Sequence, residues 1–419
     1  MRLSALGALG VVGPEAKAAE PVLVEALGSK AFGVRSTAIQ VLPRFRLDAA
    51  DLPALDDALK DDNAYVRGVA AELRWRIDRK TGAAVDALTP LLADRTAGAM
   101  AWQALGRLAA ADRVAVPAVA DRFSDPDAPT RAQALRALDR AGPNAAAAIP
   151  QLTEALKSED AATRLAAARL LARLGAAATA AVPVLAEGTK GPPDLATLET
   201  VESLGRYGKE AAPAAPALHA VLNSPDLLFR SAAAEALVRI DPAKTAVAAA
   251  ALLDGLSMPA PRLSRLMAAA VLCRVDPSER RGLAVLRAGL TDTDPAVRAG
   301  AYLVCGEAGP TAKDLLPLLE RALVDETEYL RLDAATALWK VSGRPEKPVA
   351  ALVDGLKDPT YAMVRSQAAA RLGAMGAEAK AAAPALRAAL KDRTSLVRFA
   401  AAEALPKVDP EAAAKANIP

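Results

Sequence analysis

The chain has 419 residues, of which 53% are apolar and only 3% aromatic, and its 52 basic side chains nearly balance 49 acidic ones for a net charge of +3. So small a charge gives no ground for nucleic-acid or membrane binding from the total alone, and so few rings leave Ala, Leu and Val to build the core. That suits closely spaced helices and excludes a sandwich or barrel.

The opening stretch, Met1 to Gly10, has the faint look of a signal peptide, yet it carries Arg2, Ala5 and Leu9 in the register of a phrase that recurs along the whole chain. It therefore reads as helix. The phrase is Arg-x-x-Ala-x-x-x-Leu, and its first position falls at Arg2, Arg35, Arg67, Gly98, Arg131, Arg164, Thr197, Arg230, Arg265, Arg298, Arg331, Arg365 and Arg398. Self-similarity at a period near 33 residues means stacked supersecondary units sharing one core. The expectation is an all-α superhelix of about twelve two-helix units after an N-terminal half unit: one continuous solenoid over 1–408 and a tail at 409–419. Because the first residues already sit in a second helix with no capping unit before them, a further upstream segment is expected. No apolar run reaches the roughly 18–20 residues of a membrane span.

Within each unit the first helix carries a proline in its early turns, at Pro21, Pro53, Pro117, Pro150, Pro183, Pro216, Pro317 and Pro384. A proline there starts or kinks the helix. Six residues before the phrase stands Ser29, Asp61, Asp125, Ser158, Ser224, Asp292, Asp325 or Asp392, whose short side-chain oxygens suit an N-cap or a turn. The second helix then buries positions −1, +3, +7 and +10, as in Val397, Ala401, Leu405 and Val408, a stripe about 80° wide. Glycines at Gly10, Gly142, Gly175, Gly205, Gly309 and Gly376, or Asp-Pro at Asp241, Asp276 and Asp409, mark the exits. Ankyrin units need a Thr-Pro-Leu-His box and tetratricopeptide units need fixed aromatics; neither pattern occurs.

The stretch Gly376 to Leu405, with Pro384, Asp392 and Arg398 in register, resembles the short bacterial HEAT repeat of the phycobilisome-lyase type, a HEAT/armadillo-like fold, and the resemblance covers the whole chain. It implies a ladder between units built from the turn Asp and the helix Arg, at Asp61/Arg67, Asp125/Arg131, Asp292/Arg298, Asp325/Arg331 and Asp392/Arg398. It also implies that the second helices line the concave face. Gly98 and Thr197 break the ladder and are candidates for local bending. Members of the family act as scaffolds, enzyme-associated subunits and bilin lyases, so the fold does not give the function.

Nine residues after the phrase position runs a second series, Arg44, Arg76, Arg107, Arg140, Arg173, Arg206, Arg239 and Arg274. A cation in the last helical turn offsets the macrodipole by about 0.3–1 kcal/mol, and Glu72, Glu202 and Glu235 stand four residues ahead of three of these arginines. Lysine would serve a dipole equally well. An unbroken run of arginine points to planar contact with carboxylate or phosphate, hence to a partner-binding row. Apolar neighbours at +1 and +2, among them Leu165, Leu198, Leu266, Leu332, Phe399, Val69, Met100 and Met267, are expected beside it as exposed contacts.

For chemistry the sequence offers little. His219 is the one histidine, too few for the metal clusters of the HEAT-like deoxyhypusine hydroxylases, and no phosphate loop, nucleophile elbow or zinc-protease motif is present. Cys273 and Cys305, one unit apart, read as buried thiols and not as a disulfide. The expected function is a non-catalytic, monomeric scaffold without cofactor, metal or catalytic residues, binding a protein with an acidic or extended surface along the groove. A bilin-lyase-like subunit holding a linear tetrapyrrole is the alternative and polyanion binding the third reading; the latter lacks the interleaved aromatics that stack bases.

Overall fold

The structure, a computed structural model, describes residues 18–175, 179–324 and 327–416. Arg2, Gly10, the N-terminal half unit and Asp325 lie outside the described residues. Among the described residues all regular structure is helical, as the period predicts. The contacts divide the chain into two compact units, one ending at Gly188 and one beginning at Thr189.

In the first unit the phrase lies on second helices Phe32–Val41, Ala64–Asp78, Gly98–Ala111, Ala128–Ala141 and Ala161–Arg173, each preceded by a shorter first helix, from Glu20–Ala26 to Ile149–Ala155. In the second unit the phrase helices are Leu195–Arg206, Leu227–Ile240, Arg262–Val275, Pro295–Ala308, Glu328–Ser342, Ala362–Met375 and Ser395–Val408. Pro410–Lys415 adds a last short helix against the final one. Within each unit, second helices pack on the first helix of their own hairpin and on the second helix of the next. The predicted stripe is buried: Val397, Ala401 and Leu405 are 0% exposed and Val408 1%.

Prolines start the first helices and do not kink them. Pro21, Pro53, Pro117, Pro150, Pro216, Pro317 and Pro384 all occupy the first or second helical position, where the missing N–H has no intrahelical acceptor to lose.

Of the two roles expected at −6, N-cap or turn, the structure shows the turn. The residue at −6 is not the N-cap. Asp61, Asp125, Ser158, Ser224, Asp292 and Asp392 each accept from the N–H two residues on, and where a side chain caps the helix it is usually that next residue, as with Asn63, Asp127, Asp160, Asp226 and Asp294. The oxygen at −6 is two residues too far from the helix start to reach its orphan amides, so it closes an Asx-type turn that presents the true cap.

Exits follow the glycine rule with one correction. Gly142, Gly175, Gly309 and Gly376 have φ between 56° and 64°, the left-handed side that glycine tolerates, but Gly205 lies inside its helix and Gly208, at φ 54°, ends that turn. Gly205 has a different task. A Cβ there would meet the Cα of Ala236 at 3.0 Å, and Gly373 stands in the same relation to Ala404. Gly106 and Gly306 face Ala137 and Ala337 at 3.6 and 3.5 Å. In all four, glycine at +8 of one second helix faces alanine at +6 of the next, a close approach of two backbones.

The interhairpin ladder and the arginine rows

The phrase arginine ties down its own turn through backbone oxygens. Arg67 Nη1 donates to the carbonyls of Asp61 and Asp62 at 2.7 and 3.0 Å, and Arg131, Arg164, Arg298 and Arg398 repeat the fork on the carbonyls at −6 and −5. The turn carboxylate looks to the hairpin before. Asp61 accepts Nε and Nη2 of Arg35 at 2.5 and 3.2 Å, and Asp392 accepts the same pair from Arg365 at 2.7 and 2.9 Å. A ladder between units is thus present at Asp61 and Asp392, but in another register than the expected pairs Asp61/Arg67 and Asp392/Arg398: each carboxylate takes the arginine one hairpin back, Arg35 or Arg365, and among the described residues the hydrogen bonds of Arg67 and Arg398 go to peptide carbonyls.

Other seams use substitutes. Asp125 closes its own turn, and Arg131 crosses to Thr163 at 3.1 Å and Asp160 at 3.1 Å. Asp292 takes Arg262 at 3.5 Å, and Arg230, 6% exposed, takes Asp254 and the carbonyl of Ala251. Within its own helix, and not across a seam, Arg331 also lies 3.5 Å from Glu328. Hydrogen bonds from Arg365 hold Asp392 down at about 2, and those from Thr163 and Arg131 do the same for Asp160.

At Gly98 the slot cannot hold an arginine. The helix begins at Gly98 itself, after Asp94 has taken the amides of Thr96 and Ala97, and a Cβ would lie 2.8 Å from the Leu92 carbonyl oxygen. At Thr197 the N-cap Asp194 accepts the Thr197 amide at 2.9 Å.

Six arginines of the second series hold carboxylates. In the first unit Glu72, 5% exposed, receives Arg76 from its own helix at 2.7 Å and a bidentate contact from Arg107 of the next hairpin, Nε at 2.9 Å and Nη2 at 2.6 Å. Burial pushes the Glu72 carboxyl up, but the bonds from Arg107 and Arg76 outweigh it and hold the group below its ordinary value. Arg173 pairs with Asp139 of the hairpin before it. Arg44 is exposed at the end of the turn Leu42–Arg44, and Arg140 is exposed with no ion pair among the described residues. In the second unit Glu235 receives Arg239 at 2.7 Å and Arg274 at 2.8 Å, and Arg206 lies 3.7 Å from Glu202. The local partners at i−4 were legible; the second arginine, arriving from the next hairpin, was missed. Its signal is an acid at +5 faced by arginine at +9 one repeat later.

Of the apolar neighbours, Phe399 is 67% exposed, but Leu266, Leu332 and Val69 are buried at 3%, 1% and 6%. Position +1 or +2 turns toward the next hairpin wherever that hairpin leaves a space, as Leu266 does into the gap above Gly289. Cys273 and Cys305 are free buried thiols, raised by burial to about 11 and about 12. His219 Nδ1 lies 2.8 Å from the carbonyl of Ala215, within its own helix. Among the described residues there is no cluster of three metal-ligating side chains, and no helix is long and apolar enough to cross a membrane.

The sequence pattern of HEAT repeats matches residues 1–74, 116–205, 249–339 and 283–373. The chain belongs to the HEAT-repeat family. No curated protein matches it. Among solved structures, importin beta is 14% identical with a TM-score of 0.51, covering 94% of this chain and 62% of its own. Kap95p bound to RanGDP is 12% identical with a TM-score of 0.50, covering 98% and 72%. The complex of CpcE and CpcF of phycocyanin lyase from Nostoc sp. PCC7120 is 22% identical with a TM-score of 0.32, covering 64% of this chain and 91% of that one. At these identities the likeness to importin beta and Kap95p is one of fold.

Proposed function

We propose that this HEAT-repeat protein is a non-catalytic scaffold that holds a partner protein with an acidic or extended surface against its second helices, the arginines at +9 making the contacts. The observation that carries the reading is the state of these arginines. Arg76, Arg107, Arg173 and Arg239 remain 41%, 47%, 44% and 55% exposed while each holds a carboxylate. A guanidinium has five donors in a fixed fork, and Arg107 spends Nε and Nη2 on Glu72, which leaves Nη1 for an outside acceptor. Its pairing fixes its position in advance, so little side-chain freedom is lost on binding.

The test is affinity capture from the native host, comparing the intact protein with Arg140→Glu, which breaks no ion pair among the described residues, and with a variant changing Arg107, Arg140, Arg173 and Arg206 to Glu. Loss of a common partner from both variants, with unchanged helical content by circular dichroism, supports the reading. An unchanged set of partners removes the arginines from it.

A further inference from the structure

A second surface, on the turn edge of the second unit, has different chemistry. At position −2 of the phrase, in the first turn of the second helices, Leu195, Leu263, Tyr329, Met363 and Leu396 are 71%, 52%, 40%, 48% and 44% exposed, one to a hairpin. The Tyr329 and Tyr361 rings stand 6.4 Å apart across one seam. Beside them, between the hairpins of Arg331 and Arg365, a cleft of about 340 Å³ is lined by Leu323, Val324, Leu332 and Gly355 with Glu328, Asp354 and Asp358. Val324 is 81% exposed at its rim. Of its three carboxylates, Glu328 pairs with Arg331 at 3.5 Å and Asp354 with Lys357 at 3.2 Å, while Asp358 accepts the amides of Thr360 and Tyr361, so the acidic excess is one charge; the floor is firm, since Leu332 packs so closely on Gly355 that a Cβ there would lie 2.7 Å from it.

We propose that this cleft takes a lysine or arginine side chain of a partner polypeptide whose chain runs extended over Tyr329, Met363 and Leu396. Charge fixes the sign of the entering group. Spacing fixes the conformation: neighbouring helices in contact lie about 8–10 Å apart, which matches one three-residue turn of polyproline II chain at about 3.1 Å per residue, with every third side chain on the same face. A chain with an apolar residue at every third position therefore meets the exposed side chains in step. Apolar contact around a charge-matched anchor is the usual composition of a peptide-docking surface. This surface is independent of the arginines at +9.

The experiment uses the full chain and three fluorescein-labelled peptides of about twelve residues, long enough to span about 37 Å as polyproline II. One has Leu at every third position and Lys between, one has the same composition with the Leu clustered, and one has Glu for every Lys. Fluorescence anisotropy is expected to show the periodic basic peptide binding at least tenfold tighter than the acidic one and at least threefold tighter than the clustered one. The Val324→Ser/Asp354→Lys variant, altered only at exposed positions, should bind it at least fivefold more weakly, and Arg140→Glu should bind it unchanged. Equal binding by the variant, equal binding of the clustered peptide, or no binding of the periodic peptide at millimolar concentration each overturns the proposal.

Discussion

Arg107 closes on Glu72 of the preceding hairpin with both edges matched, Nε to Oε1 and Nη2 to Oε2, while Arg76 holds the same carboxylate from its own helix. A buried acid thus receives two cations from successive hairpins, and the seam between them is fastened by charge-assisted bonds. Glu235 with Arg239 and Arg274 repeats the arrangement in the second unit.

Removing the charge at Glu72 leaves two guanidiniums facing a neutral amide. Glu72→Gln should lower stability by about 1–3 kcal/mol, the range for an unsatisfied or weakened buried charged hydrogen bond. Urea unfolding followed by circular dichroism checks it, and Glu202→Gln, whose partner lies at 3.7 Å and half-exposed, should change the midpoint far less.

The ladder gives a pH dependence with a definite sign. Asp392 is depressed to about 2 by Arg365, so its contribution is fully present above the ordinary aspartate value near pH 4 and lost as pH falls through about 2. Asp392→Asn should therefore be less stable than the parent at pH 7, with the gap shrinking between pH 4 and pH 2. A gap independent of pH across that window would contradict the assignment.

Glycine at the seams should be unequal. Gly373→Ala places a Cβ 2.9 Å from that of Ala404 and should cost about 1–3 kcal/mol of overpacking, although alanine is the better helix former by about 1 kcal/mol. Gly106→Ala, whose nearest contact is 3.6 Å, should be neutral or stabilising. Thermal melts of the two variants separate these cases, and Ala404→Gly should restore the first.

Cys273 and Cys305 should resist thiol reagents in the folded chain. Burial raises them to about 11 and about 12, so almost no thiolate exists at pH 8 and neither sulfur is accessible. Ellman's reagent should react slowly with native protein and with both thiols at once in guanidinium. Rapid native labelling of either would refute the burial.

The period, the buried stripe and the proline starts were legible because they depend on residue spacing along one helix, which the sequence displays directly. Of the two roles expected at −6, N-cap or turn, the turn is the one found; the sequence left both open because Asp at −6 and Asp at −4 have the same capping chemistry, and only the turn geometry decides which carboxylate reaches the helix amides. Asp61 was paired with Arg67 for a related reason: a repeat of near-identical units does not say whether a contact closes within one hairpin or crosses to the one before. The exposure expected of Leu266 and Leu332 failed because it was judged from a single helix wheel, and the neighbouring hairpin covers that side. Six of the eight arginines at +9 lie in the last turn of their helix as expected, while Arg44 stands in the short turn after its helix and Arg107 lies ahead of the last turn; the carboxylates that Arg107, Arg173 and Arg274 reach come from another repeat, which no helix wheel contains.

The four glycines at +8 also limit how such a chain can be rearranged. Each is followed one repeat later by alanine at +6, at Ala137, Ala236, Ala337 and Ala404, whereas Leu73, Leu170, Val271, Val304 and Arg371 fill that position in hairpins that follow a larger residue. Recombination that moved the Gly373 hairpin ahead of the one bearing Leu170 would set a leucine against a backbone contact shaped for a methyl group. Repeats that look interchangeable in the alignment of their phrases are thus matched to their neighbours, and duplication or shuffling must carry them in pairs.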